Sequence, residues 1–92
     1  MSIEADVQVS LSDAREKGEL PDWIARTEVE TFVDHSGDRA IKVLLVVRED
    51  REDIVQDGDA LSDVVLKVHA IVSDAGSELF PYTYFVGAAE AA

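Results

Sequence analysis

Cysteine is absent from this sequence of 92 residues, lysine occurs three times and proline twice. The absence of cysteine excludes disulfide bonds, a thiolate nucleophile, zinc ribbons and iron–sulfur clusters. The longest uninterrupted aliphatic run covers residues 43–47, whereas a membrane-spanning helix needs about 20 apolar residues. The first residues carry neither the basic nor the apolar stretch of a secretory signal. The sequence therefore predicts a cytoplasmic protein without a membrane partner.

The scarcity of basic residues leaves a strong excess of acid. Twenty Asp and Glu face eight Lys and Arg, which gives a net charge of −12. This charge argues against nucleic acid and anionic lipid as direct partners, because both demand a basic surface. The hydrophobic content of 47% nevertheless favours a folded chain. We expect one small domain over residues 1–87 and a frayed tail over 88–92.

A β-hairpin is the clearest local pattern. Residues 26–34 and 40–48 are rich in β-branched side chains, and Gly37 lies in the turn between them. The continuous apolar run 43–47 predicts a strand buried on both faces, and hence a central position in the sheet.

The two ends of the chain each predict a further strand. Residues 3–11 alternate between apolar and polar side chains, which is the period of a strand with one buried face. A short helix would follow, capped by Ser10 or Ser12 and ended by Gly18. Residues 79–86 form an aromatic segment in which Pro81 indicates an edge position or the start of a strand.

The segment 59–75 fits two structures. Its apolar residues follow a helical stripe, with Asp59 placed as the N-cap and Gly76 just beyond the C-terminus. The run from Val64 to Val72 also alternates, and valine favours strands. We predict a helix, because both ends carry helix signals and the segment exceeds the usual strand length.

The resulting fold class is α+β. We predict a mostly antiparallel sheet of three or four strands with the long helix 59–75 on one face. The order β-α-β-β-α-β would match the ferredoxin-like split motif. If the first strand fails, α-β-β-α-β remains, and if 59–75 is a strand, the alternative is an all-β sandwich or barrel.

The most conspicuous chemical feature is the acidic segment, residues 49–63. It holds seven acidic residues and one arginine, so it carries half of the net charge. Its spacing does not satisfy the calcium-binding EF-hand pattern, and we predict no metal or cofactor site. We expect a protein-binding surface instead, formed by Glu49, Asp50, Glu52, Asp53, Asp57 and Asp59 together with Tyr82 and Tyr84.

Three further residues invite a functional interpretation. His35 lies between acids in the hairpin turn, and His69 lies beside the apolar stripe of 59–75. Neither has a second histidine or a nucleophile motif nearby, so we assign no catalytic residue. Trp23 follows Pro21 at an element boundary and is best explained as a core residue.

The sequence supports three hypotheses about function. The first is a non-enzymatic acidic module, of a docking, inhibitor or antitoxin-like kind, that binds a basic protein. The second is a small ligand-binding or enzymatic subunit that uses His35 or His69. The third is a self-associating domain, a homodimer for instance, from a salt-adapted proteome in which the charge serves solubility.

Overall fold

The computed structural model describes residues 3–76 and 78–91 and shows an α+β domain. Its elements in chain order are α1 (Ile3–Glu16), β1 (Ile24–Val33), β2 (Arg39–Val47), a 3₁₀ segment (Glu49–Gln56), α2 (Gly58–Asp74), β3 (Phe80–Gly87) and α3 (Ala88–Ala91). The α+β class is confirmed. The alternative of an all-β sandwich or barrel is wrong, because the described strands form one open three-stranded sheet.

The sheet is mixed, with the strand order β1-β2-β3. β1 and β2 pair antiparallel across the predicted hairpin, and β2 lies at the centre as its apolar run indicates. β3 pairs parallel to β2, so the expectation of a mostly antiparallel sheet is wrong. The reason is the crossover through α2, which returns the chain to the end where β2 begins. β3 lies at an edge, where Pro81 costs no central ladder bond.

The first element is a helix, so the predicted strand over 3–11 is wrong. The same residues that alternate also supply Ile3, Val7, Leu11 and Ala14 at intervals of four, four and three, and the last three are buried. Val9, which a strand would have buried, is 61% exposed. The predicted short helix before Gly18 is the second half of α1. A ferredoxin-like order needs a strand where α1 lies, so the order is α-β-β-α-β.

The segment predicted as helical over 59–75 forms α2. Its cap is Asp57 rather than Asp59, since the Asp57 side chain accepts a hydrogen bond from the Ala60 backbone N–H at 3.2 Å. Gly76 follows the helix with a φ of +89°, a conformation that glycine adopts without strain. Gly18 does the same after α1, with a φ of +78°.

The core lies between one face of the sheet and the pair α1 and α2. It takes the odd-numbered residues of β2, the buried stripe of α1, and Val64, Val68 and Val72 of α2. Trp23 is buried in this core as predicted, and its ring lies 6.4 Å from that of Phe85. In the tail, residues 88–91 form the short helix α3, and Ala92 lies outside the described residues.

Candidate functional site

The face of the sheet opposite α1 and α2 is the candidate site, and we call it the open face. The strand register places the even-numbered residues of β2 and β3 there, and those of β1 from Arg26 onward, because side chains alternate between faces. A register shift between Ile24 and Arg26 keeps Ile24 in the core. These residues are Arg26, Glu28, Glu30 and Phe32 of β1, Ala40, Lys42, Leu44 and Val46 of β2, and Phe80, Tyr82, Tyr84 and Val86 of β3.

Three aromatic rings form a cluster across the open face. The Tyr82 ring lies 5.4 Å from the Phe32 ring and 5.0 Å from the Phe80 ring, both in edge-to-face geometry. Phe80 also meets His69 of α2 at 5.7 Å around the edge of the sheet. Phe80 is 59% exposed, and Tyr84, further along the same strand, is 47% exposed. The open face therefore presents large apolar surface, the kind that interfaces bury.

The hairpin turn fixes one end of the cluster. The Tyr82 hydroxyl donates to Asp34 Oδ2 at 3.2 Å, while the backbone N–H groups of Ser36 and Asp38 donate to Oδ1. The Asp38 N–H has the largest part in holding the pKa of Asp34 below its ordinary value. Burial, followed by the charge of Asp34, raises the pKa of Tyr82. The phenol is therefore a neutral donor that stays protonated at physiological pH.

The centre of the open face already holds a cation against an aromatic ring. The Lys42 Nζ atom lies 5.6 Å from the centre of the Tyr84 ring. Glu30 stands opposite Lys42 in the strand register, and Glu28 forms an ion pair with Arg26 at 3.0 Å. A shallow depression of about 550 Å³ runs beside these groups, with Phe32, Leu44 and Tyr84 among its walls. The formal charges of the four ionic residues balance.

Several carboxylates of the acidic segment form ion pairs or hydrogen bonds within the fold. Asp50 pairs with Arg48 at 3.0 Å, and Asp53 with Arg51 at 3.8 Å. Asp57 caps α2, and Asp59 lies in its first turn, where the helix dipole favours an anion. The half-buried Glu52 packs so closely on Gly87 that a side chain at 87 would collide with it. Glu49 differs from the other residues predicted for the protein-binding surface in the 3₁₀ segment. Its side chain is exposed, and it has no ion pair or side-chain hydrogen bond with other described residues.

The structure separates the two groups that the sequence analysis combined into one surface. Tyr82 contacts Asp34 at the hairpin end of the sheet, whereas Glu52 contacts Gly87 at the opposite end. Gly87 lies five residues after Tyr82 along the extended strand, a distance of about 16 Å. Tyr84 and Tyr82 therefore have Phe32, Lys42 and Glu30 as neighbours rather than the acidic segment.

The sequence analysis missed Phe32, Lys42, Glu28 and Glu30 as members of this surface. The available signal was the hairpin itself, because a turn at 35–38 pairs the even residues from Arg26 to Phe32 with even residues of β2. The position of β3 gave no such signal, since a parallel neighbour is set by the crossover and not by a turn.

The two histidines occupy different elements. His35 is exposed in the hairpin turn, and His69 of α2 is half-buried against Phe80. Neither ring has a carboxylate hydrogen-bonded to it in residues 3–76 and 78–91. Within the same residues, no group of three or more His, Asp or Glu side chains has the arrangement of a metal site.

No helix in the described part of the chain has both the length and the apolar character to cross a membrane. No protein-family model, curated protein or solved structure matches this chain.

Proposed function

We propose that this chain is a non-enzymatic protein-binding module that docks a basic, arginine-bearing segment of a partner protein on the open face. The observation that carries the proposal is the aromatic row of Phe32, Phe80, Tyr82 and Tyr84 on the sheet face opposite the two main helices. Tyrosine and phenylalanine in such a position supply the buried anchors of protein interfaces.

Arginine is the side chain that suits this surface. A guanidinium stacks on aromatic rings and also forms hydrogen bonds with carboxylates. Lys42 above the Tyr84 ring is an intramolecular example of the same contact. Glu30 and Asp34 lie beside the rings, where an incoming arginine could reach them.

The net charge of the whole protein and the local charge of the open face have different effects on binding. The four ionic residues of the open face balance, so local charge contributes little to attraction. The net charge of −12 attracts a basic partner over long range and raises the association rate. The aromatic rings then determine the lifetime of the complex. Salt should accordingly slow association while leaving dissociation almost unchanged.

A titration followed by nuclear magnetic resonance tests the proposal. The probe is a short peptide of alternating arginine and serine, compared with its lysine counterpart. We expect the amide shifts of Phe32, Lys42, Tyr82 and Tyr84 to change, and the arginine peptide to bind more tightly. Tyr84→Ser should weaken binding by roughly 2- to 30-fold, the range that one cation–π contact supplies.

The matched control removes charge from the acidic segment. A Glu49→Gln, Asp59→Asn double variant loses two negative charges far from Tyr82, so it should lower the association rate only. If the amide shifts instead cluster in 49–63 and this double variant abolishes binding, docking on the open face is wrong.

A further inference from the structure

One side of the described part of the chain is poor in charged side chains, although the protein is strongly acidic. We call it the edge flank: the outer edge of β3 and the adjacent side of α2. Residues 79–89, which include all of β3, contain no Asp, Glu, Lys or Arg. Glu78 and Glu90 mark the two ends of this stretch. No other charge-free stretch of this chain is as long.

The side of α2 next to β3 continues the edge flank. His69 identifies this side, because its ring contacts Phe80 of β3. Residues three, four, seven and eight positions before His69 share its side of the helix. These residues are Leu61, Ser62, Val65 and Leu66, and they line an apolar depression of about 360 Å³. Leu66 is 70% exposed.

Most charged residues of α2 lie elsewhere on the helix. Asp74 and Ile71 line a groove together with Asp13 of α1 and with Lys17, just after α1, which places them on the α1 side. Lys67 pairs with Asp63 at 3.3 Å on the outer surface. The exception is Asp59 in the first turn, three positions before Ser62, so the edge flank has one carboxylate at its end and none between Leu61 and His69 on this side.

The edge of β3 also retains hydrogen-bonding capacity. β3 has one neighbour in the sheet, β2. Outside the strand pairing and the helix α3 that begins after Gly87, no backbone–backbone hydrogen bond joins Phe80–Val86 to other described residues. Half of the N–H and C=O groups of an edge strand point away from its neighbour, and they accept a further strand.

We propose that the edge flank is a homodimer interface. Two copies would pair β3 with β3 antiparallel about a two-fold axis, and the α2 helices would pack against each other above the joined sheet. The low charge of the edge flank favours a second copy of this chain as the partner. Each copy carries −12, so two copies approach most easily where Asp and Glu are sparse on both surfaces. A basic partner would gain nothing from an uncharged flank.

The dimensions of the edge flank suit this occupant. The eight residues of β3 extend about 26 Å, and the 17 residues of α2 extend about the same distance. A strand and a helix of equal length, stacked on each other, give the interface two layers. Standard complexes bury about 800 Å² per partner, and the edge flank would have to bury an area of this order. A two-fold axis places each element against its own copy, as isologous interfaces require.

Sedimentation equilibrium of the purified chain tests the dimer. The measurement is made over a wide range of protein concentration in about 1 M NaCl, where the Debye length falls to ~3 Å and charge repulsion is screened. We expect twice the chain mass of 10.0 kDa. Leu66→Asp and Phe80→Asp each bury an unpaired carboxylate in the apolar interface, a cost that salt does not remove, and should raise the dimer dissociation constant by about tenfold or more. Both residues are exposed, and circular dichroism verifies that both variants fold.

The matched control is Val9→Asp on α1, an exposed valine away from the edge flank, and this variant should remain dimeric. A single species of 10.0 kDa at every concentration would overturn the proposal. A dimer that survives both flank substitutions would overturn it as well. The peptide titration on the open face follows Phe32, Lys42, Tyr82 and Tyr84, none of which is substituted in the dimer test, so either proposal can fail without the other.

Discussion

The two edges of the sheet differ in whether their outward-pointing backbone groups are hydrogen-bonded. At the β1 edge, three side chains of α1 bind outward-pointing groups: Arg15 donates to the Ala25 carbonyl at 2.9 Å, Gln8 donates to the Thr27 carbonyl at 3.0 Å, and Glu4 accepts from the Thr31 N–H. At the β3 edge, no side chain in the described chain does so. An edge strand that is covered by a helix is protected from pairing with another chain, and an uncovered edge is available for pairing.

The composition of the two edge strands follows the same division. β1 carries Arg26, Glu28 and Glu30, whereas β3 carries no charge at all. Charged side chains and covering elements are the two usual means of blocking an edge, and β1 has both. The contrast indicates that one edge is closed by the fold itself and that the other is suited to a second copy.

Leu11→Ala tests whether α1 is held by its buried stripe, and its effect should be the largest. Leu11 is fully buried, so truncation leaves a cavity and should lower the free energy of unfolding by roughly 2–5 kcal/mol. Denaturant unfolding at constant salt measures it. Val9→Ala, on the exposed side of the same helix, should change the stability by less than about 0.5 kcal/mol. Equal costs at the two positions would mean that α1 does not pack as described.

Gln8→Ala tests the closure of the β1 edge. The Gln8 amide also donates to the hydroxyl of Thr27, a buried polar residue, at 2.9 Å. Removing the donor leaves a hydroxyl and a carbonyl without this partner, which should cost about 1–3 kcal/mol. Gln56→Ala, an exposed glutamine in the 3₁₀ segment, is the control and should be nearly neutral. The pairing of the β1 edge with α1 is refuted if the two variants unfold at the same denaturant concentration.

Glu4→Gln tests the same edge through pH and should have the smallest effect. The Thr31 N–H, followed by the Thr31 hydroxyl, holds the pKa of Glu4 below its ordinary value of 4.5. A lowered pKa means that the contribution to stability is complete above 4.5 and is lost as the pH falls through the lowered value. The acid-induced drop in the melting temperature should therefore be shallower in Glu4→Gln than in the wild type. Glu19→Gln serves as the control, and an identical profile for the two variants would contradict the contact.

The sequence predicts those parts of the fold that depend on short-range patterns. The hairpin depends on a turn with Gly37 between two β-branched runs, and adjacent pairing then follows at once. The helix at 58–74 depends on signals at its ends, although the cap proved to be Asp57. The buried Trp23 and the edge position of the strand with Pro81 follow from side-chain chemistry. All of these are short-range or single-residue properties.

The candidate site could be predicted only in part. Tyr82 and Tyr84 lie on the open face, but the acids of 49–59 that were grouped with them lie at the other end of the sheet. The acidic charge was visible, whereas its use in ion pairs and in a helix cap was not. Whether a carboxylate is available to a partner depends on which side chains the fold brings to it.

The sequence by itself determined the charge, the hairpin with its central strand, the C-terminal ends of both long helices and the absence of cysteine chemistry. Tertiary structure alone decided that residues 3–11 are helical, since Ile3, Val7 and Leu11 satisfy the periods of both a strand and a helix. Packing against β1 and α2 selects the helix, because only then do Val7, Leu11 and Ala14 enter the core together. Tertiary structure also decided the parallel placement of β3, and with it the open face and the edge flank, because a crossover has no local signature in the sequence.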